Sequence, residues 1–419
     1  MDKILVMQNK HWNGKYSGLH NRTVLSKLLD NINLKQIEII QGIRRSGKST
    51  IFKLIINQLI KNCNPKEILY VNLDDPIFIN YSKDAGNLYK LLEISEKLTN
   101  CKPRYLFLDE IQNIDNWEKF VKSIYDNEVV QKIFITGSNS KLLNGEYASL
   151  LSGRYLSNMV YPFSYKEILN IYNIKTNLDL IENKPLAQRI IDEIMKFGTF
   201  PEVVEVKEEQ KREILKSYYD TIILKDCLLS NKIRDTKTFK ELSFYLLSNN
   251  ACLHSYNSLS KVFEVHDKSI SDYLEIMENA YIINEIKQYS FSVKEQIKSK
   301  RKFYLIDPGF SALSFSFSKN KGRNFEALVF SELKKQNFNI YYYNKNFECD
   351  FIVKKNNSVK SLIQVCWELN DLNLKREMAA INNLSAKLES EEKVIITYDQ
   401  ENIIDNVKII PFWKYFAFQ

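Results

Sequence analysis

Short apolar runs alternate with amphipathic stretches along the first part of this chain, and that alternation most limits how it can fold. The runs are IEIIQG (37–42), ILYVNLDD (68–75), RYLFLDE (104–110), KIFITGS (132–138) and a shorter YLSNMVY (155–161). Turn signals follow each one, which is how buried parallel strands read. Between them lie stretches with helical spacing, such as STIFKLIINQLIKN (49–62) and NWEKFVKSIYDN (116–127). Parallel strands need such crossovers, so residues 1–185 are expected to form a doubly wound α/β sheet.

The pattern then changes twice. Residues 186–295 read as helical, with LAQRIIDEIMKFG, REILKSYYDTIILKDCLL and TFKELSFYLLSNN. Strands return over 296–419 as KFYLIDP, NIYYYN, CDFIVKK, SLIQVCW and KVIITYD, and helices GRNFEALVFSELKKQ and LKREMAAINNLSAKLE separate some of them. A chain of 419 residues has room for three such domains, and no internal repeat joins them.

Gly42-Ile43-Arg44-Arg45-Ser46-Gly47-Lys48-Ser49 fits the spacing GxxxxGK[ST], and it lies between the first apolar run and a helix. The two glycines there let backbone N–H groups curl around phosphate oxygens, and the helix N-terminus adds partial positive charge. These residues, with Thr50, are expected to bind the phosphates of ATP. Lys48 would reach the β- and γ-phosphates, and the Ser49 hydroxyl would bind Mg²⁺.

The third apolar run ends in Asp109 and Glu110. Asp109 would hold the Mg²⁺ shell, and Glu110 would orient and polarise the attacking water. A second carboxylate directly after the first points to hydrolysis of ATP beyond mere binding. Thr136, Ser138 and Asn139 follow the apolar part of the fourth run. An uncharged polar side chain there can hydrogen-bond the lytic water or the γ-phosphate. Asn139 is the first candidate and Ser138 the second; a turn using Gly, Ser and Asn for backbone reasons is the alternative.

The order of these parts resembles an AAA-type P-loop ATPase. GIRRSGKST, LDEIQN, TGSNSKLL, SGRY and YPFSYKEI resemble one prokaryotic family, in which such a domain precedes a C-terminal domain of unknown function. Phe197-Gly-Thr-Phe-Pro-Glu202, Tyr219-Asp220 and Gly322-Arg-Asn-Phe-Glu326 resemble landmarks of that second domain. The resemblance implies ATP binding and hydrolysis. It also implies a role for Arg154, which precedes the last strand. In ring ATPases an arginine there enters the neighbouring subunit's site and stabilises charge on the transferred phosphoryl group; a surface or structural arginine is the alternative.

Residues 254–286 resemble a winged helix-turn-helix, with Leu259, Val262, Val265, Ile270, Leu274 and Met277 on one packed face. Ser269 or Asp267 would cap the second helix, and His266, Lys268, Ser269 and Ser271 would lie at its exposed start, the part that enters a major groove. Asp272, Glu275 and Glu278 on the same helix would repel phosphates, so a purely structural role stays open. Farther on, Glu326, Glu348-Cys349-Asp350 and Gln364-Val365-Cys366 resemble PD-(D/E)xK nucleases in element order. A working version has an acid in place of Gln364 and a lysine in place of Cys366, so a non-catalytic fold is expected, ahead of an altered nuclease or other α/β packing.

Composition adds exclusions. No run of about 18 apolar residues offers a membrane span. The 6 cysteines form no CxxC pair, and the 4 histidines form no HExxH. Scattered thiols suit a reducing cytoplasm. Net charge is +8, from 59 basic and 51 acidic residues, a mild bias that points only weakly to nucleic acid. The expectation is a cytoplasmic, Mg²⁺-dependent ATPase that forms a homo-oligomer and takes DNA, duplex or branched, as a partner. A nucleotide-dependent binding switch and an ATP-fuelled nuclease are the alternatives.

Overall fold

The computed structural model describes residues 1–138, 149–314 and 321–418. The chain forms two compact units, Met1–Tyr161 and Pro162–Gln419.

The first unit is built on five parallel strands: β1 Ile37–Gln41, β2 Ile68–Asn72, β3 Tyr105–Asp109, β4 Lys132–Gly137 and β5 Tyr155–Met159. Their spatial order is β2-β3-β4-β1-β5. Each expected run became a strand; β1 to β4 bury side chains on both faces of the sheet, while β5, at its edge, is mostly half-buried. Leu106 and Leu108 of β3 join one core with Ile37, Ile39, Leu69 and Val71. Tyr105 and Phe107 join the core on the other face with Ile40, Phe52 and Phe134. Register pairs Gln41 with Gly137 and Asn72 with Asp109, so the C-terminal ends of β1, β3 and β4 lie side by side.

One charged pair sits inside this sheet. Lys132 Nζ donates to the carbonyls of Asn31, Leu34 and Gln36 at 2.9, 2.9 and 2.7 Å and lies 3.4 Å from Glu38 Oε1. A buried ammonium needs such a full set of acceptors, and here it ties the segment before β1 to the start of β4.

The second unit combines what the sequence reading separated. Phe163, Tyr165, Ile168, Leu169, Ile190 and Ile194 enter one core with Tyr304, Phe330, Phe351 and Phe412. Residues 162–185, assigned by sequence to the first domain, therefore pack inside the second unit, and no contact boundary divides the helical region from the C-terminal strands. A three-stranded antiparallel sheet contains β6 Cys252–His254, β7 Ile283–Lys287 and β8 Arg301–Leu305 in the order β6-β8-β7. The run KFYLIDP thus closes this small sheet instead of opening the C-terminal one, since β7 offers it a sequence-local antiparallel partner. The larger sheet contains β9 Asn339–Asn344, β10 Glu348–Lys355, β11 Ser358–Val365, β12 Ser390–Thr397, β13 Asn402–Ile404 and β14 Val407–Pro411. It is mixed, in the order β13-β14-β12-β11-β10-β9.

The Phe197–Glu202 landmark gains a physical reason. Asp307 is buried, and its Oδ2 accepts from the Thr199 N–H and hydroxyl at 2.7 and 2.8 Å. Gly198 has φ 73°, and a Cβ there would sit 1.6 Å from Asp307 Oδ1. Only glycine allows both that backbone angle and that approach.

Candidate nucleotide site

The phosphate loop leaves the end of β1 and enters the helix Lys48–Leu59. Gly42 (φ 153°), Arg45 (φ 70°) and Gly47 (φ 97°) turn the chain through left-handed angles. A Cβ on Gly42 would lie 2.1 Å from the Val160 carbonyl oxygen, so the loop can pass the end of β5 only with glycine there. Lys48 is buried at the first helical position, and its Nζ donates to Gly42 O at 3.0 Å and Ile43 O at 3.3 Å. The Ser46 hydroxyl is buried with no hydrogen-bond partner among the described residues, an unmet group in the wall of the loop.

Asp109 and Glu110 meet this loop from the end of β3. The Asp109 carboxylate accepts from Tyr70 Oη at 2.8 Å, from Thr136 Oγ1 and from the Ser49 hydroxyl. Burial nevertheless pushes its pKa above the ordinary carboxylate value. Ser49 and Asp109 present adjacent oxygens, the donor type that suits a hard divalent cation. Glu110 Oε1 lies 3.8 Å from Lys48 Nζ. Burial would raise the Glu110 pKa, but the charge of Lys48, a bond from Gln112, the charge of Arg44 and a bond from Ser138 together hold it below the usual value. This carboxylate stays ionised and able to accept a proton.

Loop, acids and the polar end of β4 therefore converge. Thr136 bridges the acids, donating to Asp109 and accepting from the Glu110 N–H at 2.9 Å. Ser138 reaches the same place, its Oγ lying 3.5 Å from Gln112 Nε2. Asn139 lies outside the described residues. Arg154 is elsewhere: its carbonyl accepts from the Ile37 N–H at 2.8 Å, which puts it at the start of β1, the opposite end of the sheet from the phosphate loop. Its Nε donates to Asp126 Oδ1 at 3.0 Å.

Three contributors were assigned no role from sequence. Tyr70 lies mid-strand in an apolar run. Gln112 lies within LDEIQN, two residues past the acids. Arg22 precedes β1 entirely, yet it is buried, with Nη1 donating to Ser46 O at 2.9 Å and Nη2 to Tyr161 O at 2.6 Å. It clamps the loop to the chain beyond β5.

The expected recognition surface in the second unit departs from the sequence reading in two details. His266, not Ser269 or Asp267, takes the N-cap position of the helix Asp267–Asn279, with no side-chain cap bond. Val262 is 58% exposed instead of packed. His266 and Lys268 are exposed, and Ser269 and Ser271 half-buried, at the start of that helix.

The C-terminal acids are also arranged differently. Cys366 leaves the lysine position empty in sequence, but a cation arrives from β8: Lys302 Nζ lies 2.6 Å from Glu326 Oε1, 3.7 Å from Glu348 Oε1 and 3.8 Å from Asp350 Oδ1. The missing lysine at Cys366 therefore does not leave the acids without a cation, because a strand remote in sequence supplies one. Gln364 Oε1 accepts from the Asp350 N–H at 2.7 Å, while its Nε2 donates to Glu377 Oε2 at 2.6 Å. Burial, then the charge of Glu326, push the Asp350 pKa up to about 8 against the pull of Lys302.

A strand order β2-β3-β4-β1-β5 with a phosphate loop after β1 and paired acids after β3 defines an AAA-type P-loop fold with a nucleotide site. A family model described as an AAA domain matches residues 34–169, and one described as a domain of unknown function, DUF8612, matches residues 188–320. The uncharacterized protein MJ1544 of Methanocaldococcus jannaschii is 38% identical over 418 residues, covering 94% of this chain and 90% of that one. An uncharacterized protein of Haemophilus influenzae is 29% identical over 403 residues, covering 92% of this chain and 95% of that one. The chain belongs to this family of AAA-type ATPases with a C-terminal domain of unknown function. The ORC1 protein of Aeropyrum pernix, solved in complex with DNA, is 13% identical, with 71% of this chain and 93% of that chain aligned at a TM-score of 0.32. That overlap is too slight to carry anything further to this chain.

Proposed function

We propose that this protein binds Mg²⁺-ATP on residues 42–50 and hydrolyses it. The observation that carries the reading is the meeting of Lys48, Ser49, Asp109 and Glu110 at one end of the sheet, with Glu110 ionised 3.8 Å from Lys48. Lys48 would release the Gly42 and Ile43 carbonyls and turn its charge to the β- and γ-phosphates. Ser49 and Asp109 would hold Mg²⁺, which neutralises phosphate charge when bound. Glu110 would take a proton from the attacking water. Thr136 keeps the two acids in register, and Ser138 and Asn139 are the candidates for contact with the water or γ-phosphate. Arg154, too far from its own site, would complete the site of a second copy in a homo-oligomer.

We further propose that turnover is coupled to DNA in the cytoplasm. The three helices of residues 236–279 and the β6-β8-β7 sheet support a winged-helix reading, and His266 and Lys268 stand exposed at the start of its second helix-turn-helix helix. The helix–three strands–helix–strand order of residues 321–397 supports a nuclease-like fold, which we read as non-catalytic because Gln364, its amide engaged by Asp350 and Glu377, stands where a working site has an acid. Among the described residues no helix is long and apolar enough to cross a membrane.

Phosphate release from ATP tests the reading, with and without chelated Mg²⁺ and with single-stranded, duplex and branched DNA added separately. Metal-dependent turnover that disappears in Lys48→Ala is expected, with stimulation by one of the DNAs. Wild-type turnover in Lys48→Ala sinks the nucleotide assignment; turnover indifferent to every DNA favours the binding-switch alternative.

A further inference from the structure

Gln112 folds back onto Glu110. Glu110 has left-handed backbone angles (φ 54°, ψ 51°), and the turn Ile111–Asn113 that follows brings residue 112 against residue 110. A non-glycine residue in that region is strained, and such strain collects at functional sites. The Gln112 side-chain nitrogen donates to Glu110 Oε2 and lies 3.5 Å from Ser138 Oγ.

The amide thus turns its nitrogen, a donor, to the Glu110 carboxylate. Its oxygen then points elsewhere. That oxygen, Gln112 Oε1, is buried and has no hydrogen-bond partner among the described residues. Leaving a buried acceptor unmet costs about 1–3 kcal/mol. Beside a general base, its natural complement is the O–H of a water molecule. The second effect of the amide is on Lys48. A direct lysine–carboxylate contact runs at about 2.7–2.9 Å, yet Glu110 stands 3.8 Å from Lys48 Nζ. Gln112 holds Glu110 from the other side, which keeps the lysine available to phosphate.

We propose that Gln112 is a positioning residue for hydrolysis: its nitrogen orients the Glu110 carboxylate, and its oxygen accepts from the water that Glu110 activates. This rests on the reading of Glu110 as the base. The water oxygen bonds to the γ-phosphorus as the bond from that phosphorus to the ADP oxygen breaks. One water proton passes to Glu110; the other stays on the incoming oxygen and is the one that Gln112 Oε1 holds.

Steady-state kinetics on the full chain test this. Gln112→Met keeps the length of the side chain and loses both polar atoms. Its kcat should fall about 10-fold to 100-fold while KM for ATP stays within about threefold. Gln112→Asn, which retains the amide on a shorter arm, should recover part of the loss. Should Gln112→Met fold poorly, as judged by its thermal midpoint, Gln112→Glu keeps size and polarity but loses the donor, and the same split is expected. In a Glu110→Gln background, Gln112→Met should cause no further loss, because the group it positions is gone. An unchanged kcat, a rise in KM as large as the fall in kcat, or multiplying losses in the double variant would each overturn the proposal. Wild-type turnover in Glu110→Gln alone would instead overturn the assignment of the base.

Discussion

Lys302 on β8 and Glu326 on the helix Lys321–Lys335 form a buried ion pair, Nζ to Oε1 2.6 Å, and Tyr304 adds its hydroxyl to the same carboxylate oxygen at 2.5 Å. Asp350 and Glu348 stand just beyond. Glu326 and Asp350 would repel each other across this gap without the ammonium between them. Removing one partner of a buried pair costs about 3–5 kcal/mol, because the other charge is left uncompensated. Lys302→Met should therefore lower the urea midpoint sharply, and Lys302→Arg less so. A midpoint unchanged in Lys302→Met would mean that the acids are solvated or neutral. No cleavage of DNA or RNA is expected with Mg²⁺ or Mn²⁺, and Asp350→Ala should leave ATP turnover within a few-fold of wild type.

Glu110→Gln keeps shape and hydrogen bonding but removes the base. It should still bind Mg²⁺-ATP, read by calorimetry, while hydrolysis drops by about 10²-fold or more. Loss of binding would make Glu110 a structural group or a metal ligand instead.

The Arg154 guanidinium pairs with Asp126, also lies 3.4 Å from the Ser152 carbonyl and over the Tyr125 ring, and both side chains of the ion pair are partly exposed. Such a pair is worth about 0–1 kcal/mol, so the guanidinium can leave it for another site. Arg154→Ala alone should be inactive. Mixed with Glu110→Gln subunits, it should regain some turnover, since a junction can then join an intact Glu110 to an intact Arg154. Proven mixed assemblies that stay inactive would count against a role in a second subunit, as would full activity of a strict monomer.

His11 gives a pH dependence to folding. It is buried, with Nε2 3.1 Å from Ile68 O and Nδ1 3.1 Å from Tyr16 Oη. Burial holds its pKa down at about 4, from 6.5. The unfolded chain therefore binds more protons between those values, and stability must fall as pH falls through that window. Up to about 3 kcal/mol present above pH 6.5 should be lost by pH 4. Urea midpoints at several pH values should decline less steeply in His11→Gln than in wild type; parallel declines would show that His11 is not the group responsible.

Four of the five strands of the first unit were legible because each carries enough apolar side chains for two faces, and the phosphate loop because backbone curvature needs glycines at set positions. Asp109 and Glu110 were legible for the same local reason: they end a strand. The clamp by Arg22 and the bond from Tyr70 to Asp109 were not. Neither residue has a neighbour in sequence that reveals its partner, and each acts across a fold that must form first.

The second unit shows the limit more sharply. Its strands and helices could be read, but their grouping could not. The run KFYLIDP has the same composition whether it joins β7 or a later strand, and the choice is made by which partner lies near in the folded chain. Local sequence determined where the chain is extended, where it is helical and where it must bend, because those depend on residues a few positions apart. Tertiary structure alone decided that Lys302 meets Glu326, that residues 162–185 pack with the C-terminal core, and that Gln112 turns its nitrogen to Glu110 and leaves its oxygen unmet. Buried charges and amides take whatever partner the packed chain brings within about 3 Å, and no periodicity in the sequence records that distance.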